Sequence, residues 1–339
     1  MAQHAHFSTT DPELAPLLAG MPSALEANDL TTARQRYTSL ISVVHRRLGP
    51  ILPKSIAFHL LPMSVDCKLP VEGGGITART LVPTPAGAEE TTFPLMVWYH
   101  GGGWSVGSLD LDDDTLRLLC VKLQISIVSV NYRLAPEHPF PTGINDAYAT
   151  LKWASEQIES LSVDLSKGFI VAGQSAGANL AAVVTLRARD DLFFKDRPIT
   201  GQILHYPSVV HMDAVPEKYK SELLSMEQNK DAPGLTRKDM EFYISLTKPP
   251  PTDPDFSPLL AASHANLPPL CMQVCGLDPL RDEGILYEKV LRESGVKTKL
   301  HVYPGAPHGF HLIFPDTKVS AQFDRDFTDA IKWILSMSA

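Results

Sequence analysis

The chain has 339 residues, 44% of them hydrophobic and 20% charged, with 21 glycines and 28 prolines. That length suits one large α/β core or two smaller domains. The composition excludes disordered and fibrous chains, in which glycine and proline together exceed about a quarter of the residues. Thirty Lys and Arg against 38 Asp and Glu leave a net charge of −8. This is the wrong sign for gripping phosphate backbones or anionic lipid, so nucleic acid is not an expected partner.

Cys67, Cys120, Cys271 and Cys275 are too few and too scattered to staple a chain this long, and they form no paired zinc spacing. They read as core thiols of a reducing compartment. The first residues lack a basic stretch followed by an apolar one, and no later run approaches the roughly 18 apolar residues of a spanning helix. A cytoplasmic protein without a membrane span is expected.

In chain order, residues 1–50 have helical texture. Asp11-Pro12 suits a helix start, and Leu30, Ala33, Tyr37, Leu40, Ile41, Val44 and Leu48 form one apolar stripe ending at Gly49-Pro50. Eight β-rich runs follow, at 55–63, 76–82, 94–100, 125–132, 168–173, 201–206, 268–276 and 297–303. Several are apolar without alternation, the pattern of strands buried on both faces. Helical stretches are expected at about 109–124, 145–160, 176–189, 279–294 and 319–337, between and after the later strands. The spacing predicts a mostly parallel eight-stranded sheet with helices on both faces. The early runs at about 55–83 have no helix between them and are expected to form an antiparallel edge. An overlong connection at about 209–266 carries a helical segment, Leu235 to Leu246, and connections of that length usually serve a function such as a lid.

Gly173-Gln174-Ser175-Ala176-Gly177 fits G-x-S-x-G between a strand run and a helical run, the context in which a sharp turn presents a serine Oγ above the sheet. The alternative is a chance match with Ser175 as a helix cap. His100-Gly101-Gly102-Gly103-Trp104 follows another strand run, and consecutive glycines let backbone N–H groups converge where an oxyanion would sit. A phosphate cradle fails, because no Gly-Lys-Ser/Thr follows and Asp110, Asp112, Asp113 and Asp114 would repel an anion. Those aspartates lack calcium-loop spacing and read as charge at a helix N-terminus.

With these motifs the chain resembles the α/β-hydrolases of the hormone-sensitive-lipase-like carboxylesterase family from about residue 90 onward. The resemblance also rests on Gly107 to Asp110, Tyr132 to Pro141, Asp255 to Pro258, Asp278 to Gly284 and His308 to Phe310. Gln174 departs from the family, which most often has Asp there. The resemblance implies the triad order nucleophile, acid, base, carried here by Ser175, Asp278 and His308. An alcohol needs a base within hydrogen-bond reach, and histidine is matched to neutral pH. His301, inside a strand run, and His311 are weaker bases. Asp278-Pro279 could also be a helix cap, and Asp282 and Glu283 are alternative acids one turn on. In the cluster Arg133, Glu137 and His138, the Arg and Glu four apart are expected to form an internal tie. His100 is expected to brace its loop.

The expected architecture is therefore an α/β-hydrolase fold with a helical cap. Residues 1–50 would form an N-terminal cap segment, and 51–339 a catalytic domain with a cap insert at about 209–266. The implied function is hydrolysis of short-to-medium acyl esters of small molecules through an acyl-enzyme, with Gly102, Gly103 and Ala176 N–H groups holding the oxyanion. No metal or organic cofactor is implied, and the partner is a small-molecule ester. The oligomeric state is not legible, a homodimer being one option. The fold also hosts biosynthetic lyases, acyltransferases and non-catalytic small-molecule receptors. The intact His308 argues against the receptor.

Overall fold

The computed structural model describes residues 3–20, 29–48, 63–84 and 91–337. Eight strands, β1 (Met63–Val71), β2 (Gly74–Val82), β3 (Leu95–Tyr99), β4 (Ser126–Asn131), β5 (Phe169–Gln174), β6 (Gly201–His205), β7 (Leu270–Leu277) and β8 (Thr298–Pro307), form one sheet. Its order is β1-β2-β4-β3-β5-β6-β7-β8. The hairpin β1–β2 and the β2–β4 pair are antiparallel, and every other pair is parallel. The mostly parallel sheet with an antiparallel edge is as the sequence predicts. The run expected at 55–63 lies, but for Met63, outside the described residues, and the first described strand, beginning at Met63, is one the sequence reading did not single out. The reason is edge exposure. Met63, Val65, Asp66, Lys68 and Pro70 are exposed, and an edge strand with charges and a proline gives no apolar run to recognise.

Alternation along β3 divides the core into two. Leu95, Val97 and Tyr99 face one layer, with α4 (Thr142–Glu156), α5 (Ala176–Asp190) and α8 (Arg281–Glu293). Met96 and Trp98 face the other, with α3 (Asp113–Leu123) and α10 (Lys318–Leu335). Phe323, Phe327, Ala330, Ile331 and Ile334 of α10 are buried at the three- and four-residue spacing of an amphipathic helix. Near the amino end, the short helix α1 (Ala15–Ala19) precedes α2 (Leu30–Leu48), and Leu14 is buried with Tyr206, Tyr303 and Phe310. The connection between β6 and β7 holds α6 (Ser225–Gln228) and α7 (Arg237–Thr247). A capping box at Thr236 and Asp239 starts α7.

Because β3, β5, β7 and β8 run parallel, their carboxyl ends share one edge of the sheet, where open α/β sheets bind ligands. At that edge stand His100 after β3, Ser175 after β5, Asp278 after β7 and His308 after β8.

The segment Tyr132 to Pro141 shapes the neighbouring loop, but not by the expected Arg133–Glu137 tie. Arg133 instead forks onto the buried Asp146 of α4, with nitrogen–oxygen distances of 2.9 and 2.7 Å. Glu137 pairs with Arg34 of α2, two nitrogens lying 2.7 Å from its oxygens. Four residues apart is a helical neighbour distance, and this stretch is not a helix. Arg133→Ala would leave the Asp146 carboxylate buried without its cation. We expect a loss of about 3 kcal/mol of stability, measured as a lower urea midpoint at unchanged m-value.

Candidate active site

Ser175 occupies the single residue between β5 and α5, with φ 53° and ψ −121°. A non-glycine backbone in that region is strained by about 1–3 kcal/mol. The turn is held from both sides: Ser175 N–H donates to the His205 carbonyl at 2.9 Å, and Asn179 N–H donates to the Ser175 carbonyl at 3.0 Å. Gly177 lies so near the Tyr99 and His100 carbonyls that a Cβ there would collide with both. The glycine thus lets α5 cross the end of β3 and turns Ser175 Oγ away from the sheet.

Ser175 Oγ lies 2.9 Å from His308 Nε2, and His308 Nδ1 lies 2.7 Å from Asp278 Oδ2. The three residues singled out from the sequence are therefore brought into one hydrogen-bonded series. Asp278 is fully buried, and its other oxygen, Oδ1, accepts the Leu280 N–H at 2.8 Å. It both starts the turn into α8 and meets the histidine, so the two roles weighed for it coexist. The alternative acids are engaged elsewhere. Asp282 accepts the N–H groups of Leu224 and Ser225 and pairs with Arg281. Glu283 accepts the N–H groups of Val209 and Val210, and burial pushes its carboxyl up to about 8. His301 faces Asp326 at 3.5 Å, and His311 meets the Tyr206 hydroxyl.

Gly102 and Gly103 line one cavity of about 120 Å³ with Ser175 and His308. Gly102, with φ 125°, faces Val106 so closely that a side chain would strike the Val106 carbonyl. Ala176 follows Ser175 as the first residue of α5. The other walls are Tyr37 and Leu40 of α2, Leu235 and Tyr243 of the insert, and Leu312 and Ile313 after His308. No Lys, Arg, Asp or Glu lines the cavity among the described residues. The stripe of α2, through Tyr37 and Leu40, and the insert helix α7, through Tyr243, thus both reach it. Such a cavity suits an uncharged, largely apolar ligand.

Beneath the serine lies a buried chain of polar groups that the sequence did not disclose. Asp112 accepts from Trp98 Nε1 and from Gln174 Nε2, both at 2.8 Å. Gln174 Oε1 accepts from the Tyr206 hydroxyl at 2.6 Å, and Tyr206 Oη is 2.8 Å from His311 Nε2. With the tyrosine proton given to Gln174, His311 Nε2–H is the donor to Tyr206. Burial holds His311 down to about 3 and raises Asp112 to about 7. The aspartate cluster is therefore not uniformly helix-terminal charge: Asp112 supports the elbow, while Asp110 and Asp113 pair with Arg79. His100 stacks on Tyr132 with 4.4 Å between ring centroids and contacts the Gly101 carbonyl. Burial lowers it to about 4, as suits a neutral loop brace.

Two more residues were missed. Asn229 of the insert donates to the Asp278 carbonyl at 2.9 Å. Arg281, fully buried, reaches Asp282, Gln228 and Ser8 of the amino-terminal segment at 2.8, 2.7 and 2.6 Å. Only the Asp278 to Gly284 motif hinted at Arg281; nothing local marks Asn229.

Residues 96–312 match the family model described as alpha/beta hydrolase fold. The chain belongs to the α/β-hydrolases, in their hormone-sensitive-lipase-like carboxylesterase family. The hydrolase is 42% identical to a vibralactone cyclase, whose crystal structure superposes with a TM-score of 0.94 over 98% of this chain and 97% of that one. An esterase of Pyrobaculum calidifontis is 31% identical, with a TM-score of 0.81 over 97% and 99% of the two chains. The versiconal hemiacetal acetate esterase of Dothistroma septosporum is 37% identical over 73% of this chain and 75% of its own. Among the hydrolase's described residues no helix is long and apolar enough to cross a membrane, and no cluster of His, Cys, Asp or Glu could hold a metal ion.

The raised Glu283 carboxyl makes a stability prediction. Its folded value of about 8 exceeds the ordinary 4.5, so the folded state binds more protons between those values. Stability is then lost as pH rises through that window. Glu283→Gln keeps the shape and the acceptor oxygen but cannot titrate. Urea unfolding at pH 5 and pH 8 should show a smaller decline in the variant than in the parent protein; equal declines would place the titration elsewhere.

Proposed function

We propose that this hydrolase is a serine carboxylesterase acting on short-to-medium acyl esters of small, uncharged molecules. The observation that carries the reading is the series Ser175–His308–Asp278, at 2.9 and 2.7 Å, opening into a cavity without charged walls. In this reading His308 Nε2 takes the Ser175 proton as Oγ attacks the ester carbonyl, and the N–H groups of Gly102, Gly103 and Ala176 receive the oxyanion. His308 then gives the proton to the leaving alcohol. Water, deprotonated by His308, attacks the acyl-enzyme and releases the acid and free Ser175. Asp278 fixes the histidine tautomer and balances its transient positive charge. The chain itself supplies every proton transfer, so the reading uses no cofactor. The amino-terminal segment and the insert at about 209–266 serve as the cap over this site, and four scattered cysteines accord with a cytoplasmic setting.

A second reading is intramolecular acyl transfer. The 42% identity to a vibralactone cyclase over nearly the whole of both chains exceeds the 31% to the Pyrobaculum esterase. If the substrate's own hydroxyl, rather than water, attacks the acyl-enzyme, the product is a lactone and Ser175 is regenerated by the same proton transfers. The apolar walls supplied by Leu40, Leu235, Leu312 and Ile313 would favour this by limiting water.

A fluorophosphonate should label the protein once, on Ser175, and Ser175→Ala should abolish both labelling and cleavage of p-nitrophenyl butyrate. A label mapped to another serine would overturn the assignment. Asp278→Asn should lower kcat about 10⁴-fold at similar KM, while Asp282→Asn should have a much smaller effect on kcat. Comparable kcat losses from the two would reverse the choice of acid. Product analysis with hydroxy-esters decides between the two readings, free acid marking hydrolysis and lactone marking cyclisation.

A further inference from the structure

Behind the serine cavity lies a second, larger one. It measures about 430 Å³ against about 120 Å³, and Leu312 is a wall of both. Two elements run past the pair. On α2, Tyr37 and Leu40 face the serine cavity and Val44 faces the second, positions three and seven residues on, which share one helix face. On the short helix α9 (Phe310–Ile313), Leu312 and Ile313 face the first cavity, and His311 and Leu312 the second. The inner walls of the second cavity are apolar, with Leu118, Leu119, Leu312 and Phe327. Its charged residues, Lys122 and Asp324, are solvent-exposed.

The partition has a fixed part and a loose part. His311 is bonded to the Tyr206 hydroxyl and stacks on Phe323 at 4.1 Å between centroids. Leu312 is only half-buried, and its side chain can be held by packing alone.

We infer that Leu312 sets the chain-length limit of the site, closing the serine cavity off from an apolar cavity that, once opened to it, forms the far half of a hydrocarbon-chain pocket for esters with an extended uncharged chain. The inference rests on the esterase reading for its turnover assay, not for its binding assay. With Leu312 in place the serine cavity ends the chain. Once a chain passes the partition, each further methylene buried gains at most about fourfold in kcat/KM.

The test compares p-nitrophenyl esters of C4 to C14 acids, and in parallel butyrate esters of C4 to C14 alcohols. The readout is the ratio of kcat/KM for C12 to that for C4. Leu312→Ala should raise the ratio at least tenfold in one of the two series. Adding Leu118→Trp, or Thr115→Phe if the tryptophan variant fails to fold, should fill the second cavity and reverse most of that gain. A folded Leu312→Ala protein with the parental ratio in both series overturns the inference, as does a gain that neither filling variant reverses. Binding of parinaric acid, read by its fluorescence, separates this from the esterase reading. If the parent protein cleaves no ester, that reading falls, but tighter parinaric acid binding in Leu312→Ala, lost on filling, still upholds the shared pocket. No change in binding would overturn it.

Discussion

The constraint on which the rest depends is the close passage of α5 across the end of β3. Gly177 leaves no room for a side chain between the helix and the carbonyls of Tyr99 and His100. The chain must therefore turn from strand to helix within one residue, and that residue, Ser175, takes a backbone conformation with positive φ. The strain is tolerated because every neighbour is already fixed. β5 is buried along its whole length between β3 and β6, and the Ser175 N–H is held by the carbonyl of His205. A serine so placed cannot relax toward the sheet, so Oγ faces whatever the neighbouring strand ends supply. Those ends supply the glycine loop, Asp278 and His308.

The loops carrying Asp278 and His308 are held from outside the sheet. Asn229 fixes the Asp278 carbonyl, and Gly234 passes so close to the His308 carbonyl that a Cβ would strike it. Arg281 ties the same region to Ser8, while Arg34 of α2 clasps Glu137 and the Ser105 carbonyl near the glycine loop. The segments that wall the cavity are thus also those that brace the loops carrying Asp278 and His308. This couples the shape of the pocket to the positions of the groups at its floor, through hydrogen bonds and not only through packing.

What the sequence discloses follows from how local each signal is. The parallel strands were legible because burial on both faces removes alternation, and the helices between them because one face is apolar. Ser175 stood out by its glycine-flanked turn between a strand and a helix, whereas Asp278 and His308 were singled out by the resemblance, the local signal alone leaving Asp282 and Glu283 open as acids. β1 was not legible, since an exposed edge carries Asp66, Lys68 and Pro70 where an inner strand carries Val or Ile. Partners far apart in the chain were not legible either. Glu137 pairs with Arg34, 103 residues away, instead of with Arg133, and Arg281 meets Ser8 across 273 residues. No spacing rule reaches such pairs, because they are set by the packing of elements that fold independently of one another's local sequence.

Gln174, which departs from the family pattern, is explained by its two neighbours. Its side chain must donate to the Asp112 carboxylate and accept from the Tyr206 hydroxyl at once. An amide does both with no charge. A carboxylate there would be acceptor-only when ionised and would face Asp112 as a like charge in a buried setting, where one of the two would have to stay protonated. Burial already raises Asp112 to about 7, so this chain keeps a single carboxyl under the Ser175 turn where a second would make a coupled pair. The amide also orients Tyr206, whose ring lies edge-on to His308 with 4.6 Å between centroids. Tyr206 in turn accepts the hydrogen bond from His311 Nε2–H that fixes the wall next to Leu312. The turn that carries Ser175 and the wall beside Leu312 are therefore linked by one hydrogen-bonded chain, running from Trp98 through Asp112, Gln174 and Tyr206 to His311.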